Sequence, residues 1–230
     1  MKKNKKKIIE YWDSRAVNKN KKLSGSNDEL AHKFETNFMN NLIGNKVNNI
    51  FDLGCGNGSF LKDLSKTKKF KRIAGIDTSK NMISECKKQN LKNSNFFVGD
   101  IEKISNFESL GKFDCITSKR CLINLLSTKR QILVINKIGK FLKKSGSYFA
   151  CECSSDALKN INLFRKKVGL DAIKSPWHNC YINDGVLKET KFKNLKLIKI
   201  HNFTSTYYFV SRVVNALVCK KKKLILKIQT

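Results

Sequence analysis

The 230-residue chain reads as an α/β fold, a parallel sheet with helices on both faces. Two observations predict it. Short apolar strand-like runs alternate with helical stripes over about residues 47–153, joined by short connections. A glycine-rich turn follows the first run, and an acid stands at the end of each of the first three: Asp52, Asp77 and Asp100. The length fits one domain over residues 1–230 rather than two.

The elements follow in order. Ser26-Asn27-Asp28-Glu29 has the form of a capping box, with Ser26 as the cap and Glu29 reaching back. The helix it opens carries Leu30, Phe34, Phe38 and Leu42 on one stripe, and Gly44 closes it. Val47 to Leu53 is the first predicted strand. It runs into Gly54-Cys55-Gly56-Asn57-Gly58 and a helix through Phe60, Leu61 and Leu64. Arg72 to Ile76 is the second strand, ending in Asp77, with a helix from Ser79 through Met82 and Cys86. Asn95 to Val98 is the third, Phe113 to Thr117 the fourth and Ser147 to Glu152 the fifth. A helix from Thr128 through Leu142 precedes the last. Residues 154–185 have little periodicity. Residues 195–201 and 206–214, rich in β-branched and aromatic side chains, read as two further strands.

Composition narrows the class. Hydrophobic residues make up 40% of the chain, enough for a core, so disorder of the whole chain is excluded despite 28% charge. A single Pro and 12 Gly exclude collagen-like sequence. No apolar run approaches the ~18 residues that span a bilayer. The basic start Lys2 to Lys7 is followed by Ile8-Ile9-Glu10-Tyr11-Trp12-Asp13, which breaks any signal-peptide core, so a cytoplasmic location is expected. Net charge is +29, carried by 41 Lys and only 6 Arg. Nucleic-acid readers lean on the bidentate Arg fork, so most of this Lys excess reads as compositional. It still predicts salt-sensitive adhesion to polyanions. Eight Cys are scattered, mostly in apolar runs, and read as buried reduced thiols; no metal site is predicted.

The chemistry concentrates at the glycine turn. Gly54 and Gly56 let the backbone approach a ligand, and the following helix start offers free N–H groups. The spacing is GxGxG, without the third-glycine spacing of dinucleotide binders and without a following GK[ST], so a phosphate loop is excluded. Asp77, about 20 residues on, is placed to accept from both ribose hydroxyls of a nucleoside. Asp100 is placed to accept from an adenine amino group, with Ile101 and Met82 on the two ring faces.

Asp52-Leu53-Gly54-Cys55-Gly56-Asn57-Gly58, Gly75-Ile76-Asp77-Thr78-Ser79 with Met82, and Val98-Gly99-Asp100-Ile101 together resemble the class I methyltransferases that use S-adenosylmethionine as cofactor. The resemblance covers residues 47–153. It implies a Rossmann-like, seven-stranded, mostly parallel sheet whose last two strands form an antiparallel hairpin. It also implies the Gly54, Cys55 and Gly56 backbone along the methionine moiety, Asp77 on the ribose, Asp100 and Ile101 at the adenine, the Ser118 carbonyl at the methionine amino group, and Asp52, Thr78 and Met82 as further cofactor-binding residues. A narrower resemblance, carried by Lys119 to Leu126, Gly169-Leu170 and Pro176 to Tyr181, is to small-molecule methyltransferases of bacterial surface-polysaccharide and similar biosynthetic clusters.

On this reading residues 1–45 form an N-terminal helical cap, with Tyr11 and Arg15 over the cofactor, and 154–190 an acceptor-side insertion. The plain alternative for Tyr11 is a surface helix packed on the sheet. Methyl transfer to a hydroxyl needs alignment and a proton acceptor. His178 suits that by its ordinary pKa, or serves only as a loop hydrogen-bonder. Glu152, ending the fifth strand, either orients the acceptor or is structural. Trp177 and Tyr181 offer rings to a sugar, or are core aromatics. Arg120 offers a guanidinium to an anionic acceptor group. The expected partner is a small-molecule acceptor, most simply a sugar or cell-surface precursor hydroxyl. The alternative is an RNA methyltransferase using the basic surface, although Thr117-Ser118-Lys119-Arg120 lacks the Asn/Asp-Pro-Pro-aromatic motif of base-amino methylation. A non-catalytic cofactor-binding scaffold is the third class.

Overall fold

The computed structural model describes residues 2–17 and 28–220. Helix α1 (Lys2–Val17) and α2 (Glu29–Leu42) precede the sheet. Then come β1 (Asn49–Leu53), α3 (Ser59–Ser65), β2 (Arg72–Asp77), α4 (Lys80–Lys87) and β3 (Ser94–Val98). After 3₁₀ turns over Ile101–Leu110 follow β4 (Phe113–Lys119), a 3₁₀ turn (Leu122–Leu125), α5 (Thr128–Ile138) and β5 (Leu142–Cys151). Helices α6 (Ser155–Lys167), α7 (Asp184–Glu189) and α8 (Ser205–Phe209) complete the order. α8 continues through a π turn (Val210–Val214) and helical residues 215–220.

The five strands are all parallel, in the order β3-β2-β1-β4-β5. The chain moves outward from β1 to β3, then crosses to β4 on the other side of β1. That makes the gap between the ends of β1 and β4 a topological switch point. Strand alternation divides the core between two faces. Phe51, Leu53, Ile76 and Ile116 pack with Val134, Ile135 and Ile138 of α5. Ile50, Ile73 and Cys115 pack on the other face with Met39, Leu61, Leu64 and Ile83 from α2, α3 and α4.

Three expectations are corrected. Seven strands with an antiparallel hairpin are not found among the described residues. Residues 195–201 form no strand, and 206–214 are helical. Tertiary contacts override β-propensity there. Residues 208 and 212 are one helical turn apart: Arg120, just after β4, reaches the Tyr208 hydroxyl at 3.4 Å, and Arg212 reaches Asp28, the cap of α2, at 3.2 Å. The Tyr207 hydroxyl also donates to Asp28, at 2.5 Å. Second, the α2 stripe of Leu30, Phe34 and Leu42 is exposed, and Ala31, Glu35, Thr36 and Met39 turn inward. The stripe meets the C-terminal segment instead: Phe38 stacks on Phe203 with ring centroids 4.1 Å apart, and Phe34 lies 5.4 Å from Tyr207. Third, Asp28 caps α2, accepting from the Ala31 N–H at 3.0 Å. Ser26 lies outside the described residues.

Candidate active site

A cavity of about 610 Å³ lies at the switch point, lined from the ends of β1, β2 and β4 and roofed by α1. Its size is that of a small-molecule pocket. Asn4, Lys5, Ile8, Ile9 and Trp12 line it, one face of a helix at i, i+4 spacing. Three ties hold α1 down. Lys5 pairs with Asp100 and Glu102. Trp12 Nε1 donates to Asn124 Oδ1 at 3.2 Å. Asp13 Oδ1 accepts from Ser79 Oγ at 2.5 Å and from the Asn81 N–H at 3.2 Å.

The glycine turn packs tightly under the turn that follows β4. Gly54 has φ +69°, and a Cβ there would lie 2.5 Å from Cys121 Sγ, so only glycine fits. The Gly56 N–H donates to Asp77 Oδ2 at 3.0 Å, and the Ser79 N–H donates to Asp77 Oδ1 at 2.9 Å. Burial still raises the Asp77 pKa above its ordinary value, against those hydrogen bonds. Asp52, on the floor, accepts from Thr117 Oγ1 at 2.7 Å, and burial pushes its carboxyl up to about 7.

The β3 side is a charged network on apolar walls. Asp100 Oδ1 accepts from the Glu102 N–H at 3.0 Å. Arg130 and Lys5 both grip Glu102, and the Arg130 hydrogen bond holds the Glu102 carboxyl at about 2. Met82, Ile101 and Leu133 supply apolar surface.

The β4 side is cationic. Lys119 Nζ lies 2.7 Å from His32 Nδ1 and 3.2 Å from Thr36 Oγ1. An ammonium only donates, so Nδ1 accepts and the His32 proton sits on Nε2. Burial, with Lys119 nearby, lowers the His32 pKa to about 4. Glu35 pairs with Arg120 at 2.5 Å and faces Lys119 at 3.5 Å. Arg120 (φ +54°) and Leu126 (φ +48°) bracket the 3₁₀ turn after β4. Strained non-glycine backbone of this kind is held in place by its surroundings.

Glu152 is one such restraint. It accepts from Ser118 Oγ at 2.9 Å and from the N–H groups of Cys121 (3.2 Å), Leu122 (3.0 Å) and Ile123 (3.4 Å). Burial raises its pKa to about 7 despite these donors. His178 sits in an aromatic cluster, 4.4 Å from the Tyr11 ring, 5.5 Å from Trp12 and 5.3 Å from Trp177. It is 7% exposed, and its Nδ1 has no hydrogen-bond partner. Burial, and then the Arg15 charge, lower its pKa.

Of the residues expected from sequence, the cavity brings together Asp52, Gly54, Cys55, Gly56, Asp77, Thr78, Met82, Asp100, Ile101 and Arg120. Tyr11, Arg15, Ser118, Glu152, Trp177, His178 and Tyr181 are not in its lining. Tyr11 and Arg15 are four apart on a neighbouring face of α1, with the Arg15 guanidinium 5.9 Å from each of the Tyr11 and Trp12 rings. Ser118 is fully buried, and Tyr181 packs against the core. Sequence reasoning missed Lys5, Ile8, Ile9, His32, Glu102, Lys119 and Arg130. The helical spacing of residues 5, 8, 9 and 12 was a usable signal. Nothing local marks the rest, which converge from four segments. No cluster of three or more His, Cys, Asp or Glu among the described residues is disposed to hold a metal ion. No helix among them is long and apolar enough to cross a membrane.

Residues 45–199 match a family model described as a methyltransferase domain. Among solved structures, the chain is similar to magnesium protoporphyrin IX methyltransferase (ChlM) from Synechocystis PCC 6803 with bound SAH. That likeness has 15% identity, covers 80% of this chain and 86% of that one, and has a TM-score of 0.61. N-methyltransferase NodS from Bradyrhizobium japonicum WM9, in complex with S-adenosyl-L-homocysteine, is 18% identical. The match covers 74% of this chain and 80% of that one, with a TM-score of 0.55. A DhpI–SAH complex is 18% identical, covering 66% of this chain and 71% of that one, with a TM-score of 0.54. At these identities the likeness is one of fold. Comparison with curated proteins gives no match.

Proposed function

Because the chain belongs to the methyltransferase-domain family, we propose that it transfers a methyl group from S-adenosylmethionine to a small-molecule acceptor, at a hydroxyl of a sugar or other cell-surface precursor. The observation that carries this reading is the cavity, which joins the 54–58 turn to Asp77 and Asp100 at one switch point.

S-adenosylmethionine is the cofactor; when bound, it supplies an electrophilic methyl group on a sulfonium centre. The residues present fit it. A Cβ built at Gly56 meets only Met82 Sδ, at 4.0 Å, which leaves room for a ligand against the backbone. Asp77 and Thr78 take the ribose, and Asp100, Ile101 and Met82 the adenine. Asp52, Gly54 and Cys55 run along the methionine moiety, with the Ser118 carbonyl at its amino group. Tyr11 and Arg15, beside the cavity face of α1, pack with Trp12, and Tyr11 meets His178 and Trp177. The acidic floor of Asp52 and Asp77 favours a cationic ligand.

His178 is the proposed proton acceptor. Its imidazole is neutral at pH 7, and its Nδ1 is without a partner. It lies against the Tyr11 and Trp12 rings, beside the end of α1 that roofs the cavity. Exposed Trp177 offers a ring face beside it, Tyr181 supports that loop, and Arg120 faces an anionic group of the acceptor. Glu152 acts as a positioning residue, holding the turn after β4. The reaction is placed in the cytoplasm, where thiols stay reduced, in keeping with eight free cysteines.

The test is methyl-tritiated cofactor incubated with the protein and, in parallel, a small-metabolite extract and total RNA. Label in the small-molecule fraction supports the reading. Label in RNA alone overturns it in favour of the alternative acceptor, which rests on the net charge of +29.

A further inference from the structure

The C-terminal helix is apolar on both of its faces but packed on one. Val213 is buried, while Val210, Val214 and Val218 are 51%, 41% and 47% exposed. Those three recur every fourth residue, a single outward row. Helix α6 exposes apolar side chains as well: Leu163 and Phe164 are each 52% exposed, and Phe209 beside Phe164 is 41% exposed. The two helices are neighbours: the Phe164 and Phe209 rings lie 5.8 Å apart, and Arg165 donates to the Arg212 carbonyl. Lys220 Nζ donates to the Gly169 carbonyl, at 2.7 Å, just past the end of α6. Lys166 and Lys167 stand exposed on α6, two and three residues past Phe164.

We infer that this face is a docking surface for an anionic lipid bilayer, with the valine row entering the headgroup boundary and the lysines pairing with lipid phosphates. Contiguous exposed apolar surface of this kind marks an interaction site. The chemistry selects the partner. An interfacial helix combines an apolar face with flanking Lys, and anionic leaflets attract basic segments. A nucleic acid would use the lysines and leave the valines in water. A second copy would bury the valines but set Lys166, Lys167 and Lys220 against their own equivalents, on a chain already at +29.

The test is co-sedimentation of the full chain with vesicles of phosphatidylcholine, with and without phosphatidylglycerol, at about 0.1 M salt. Binding is expected to the anionic vesicles. Val210→Glu with Val218→Glu should weaken it about tenfold or more, while thermal melting and S-adenosylmethionine binding stay as in the parent. Lys166→Glu with Lys167→Glu, on the exposed rim, should weaken it as well and guards against a folding defect in the valine pair. Three results would overturn the inference: vesicle binding that the valine substitutions leave unchanged, RNA binding without vesicle binding, or a dimer that the same substitutions dissociate.

Discussion

The Gly56 N–H donates to Asp77 Oδ2 across 3.0 Å, tying the glycine turn after β1 to the acid that ends β2. Two signals 21 residues apart in sequence are therefore one structural unit. Asp77→Ala removes the acceptor for the Gly56 and Ser79 N–H groups along with the proposed ribose contact. Affinity for S-adenosylmethionine should fall by about 1–3 kcal/mol, read by calorimetry. An unchanged affinity would remove Asp77 from the cofactor site.

Gly58 has φ +78°, and a Cβ there would lie 2.6 Å from Cys86 Sγ. Gly58→Ala should cost about 1–3 kcal/mol of stability from strain and overpacking together. Adding Cys86→Ala removes the overpacking and leaves the strain, so urea melts should show partial recovery. No recovery would mean that the clash does not set the cost.

Stability should depend on pH with two opposed slopes. Burial holds Asp52 and Glu152 at about 7, above their values of ~4 in an unfolded chain. The folded state binds more protons between those values. Stability from this source therefore declines as pH rises from about 4 to about 7. Glu102 works the other way: held at about 2 by Arg130, its contribution is complete above its unfolded value and fades as pH falls toward 2. Asp52→Asn should flatten the decline between pH ~4 and ~7 in a series of urea melts. A slope that the variant leaves intact would assign the decline elsewhere.

Lys5→Ala unties α1 from Asp100 and Glu102 while Trp12 and Asp13 still hold its other end. The pair is part-exposed, so global stability should move by no more than about 1 kcal/mol. Amide exchange near the start of α1 should quicken, and α4 should be unaffected. Equal protection in variant and parent would mean that Lys5 does not hold the roof.

His178→Ala should leave S-adenosylmethionine affinity within experimental error, since the imidazole does not line the cavity. Turnover with the true acceptor should fall by about 10²-fold or more if the imidazole takes the proton. Full turnover in the variant would leave His178 as a packing residue of the aromatic cluster.

The amino-acid sequence by itself determined the five parallel strands, the 54–58 turn and the acids Asp52, Asp77 and Asp100, because each rests on a local signal: an apolar run, a close-set GxGxG, a carboxylate at a strand end. Tertiary structure alone decided that residues 206–214 coil into a helix, since their β-type side chains find their partners on α2 and Asp28 rather than on a strand. It likewise decided that Lys5, Ile8 and Trp12, rather than Tyr11 and Arg15, face the cavity. The rotation of α1 is set by its three anchors on Asp100, Ser79 and Asn124, far away in the chain. A periodicity names the faces of a helix; only the surface it lands on chooses between them.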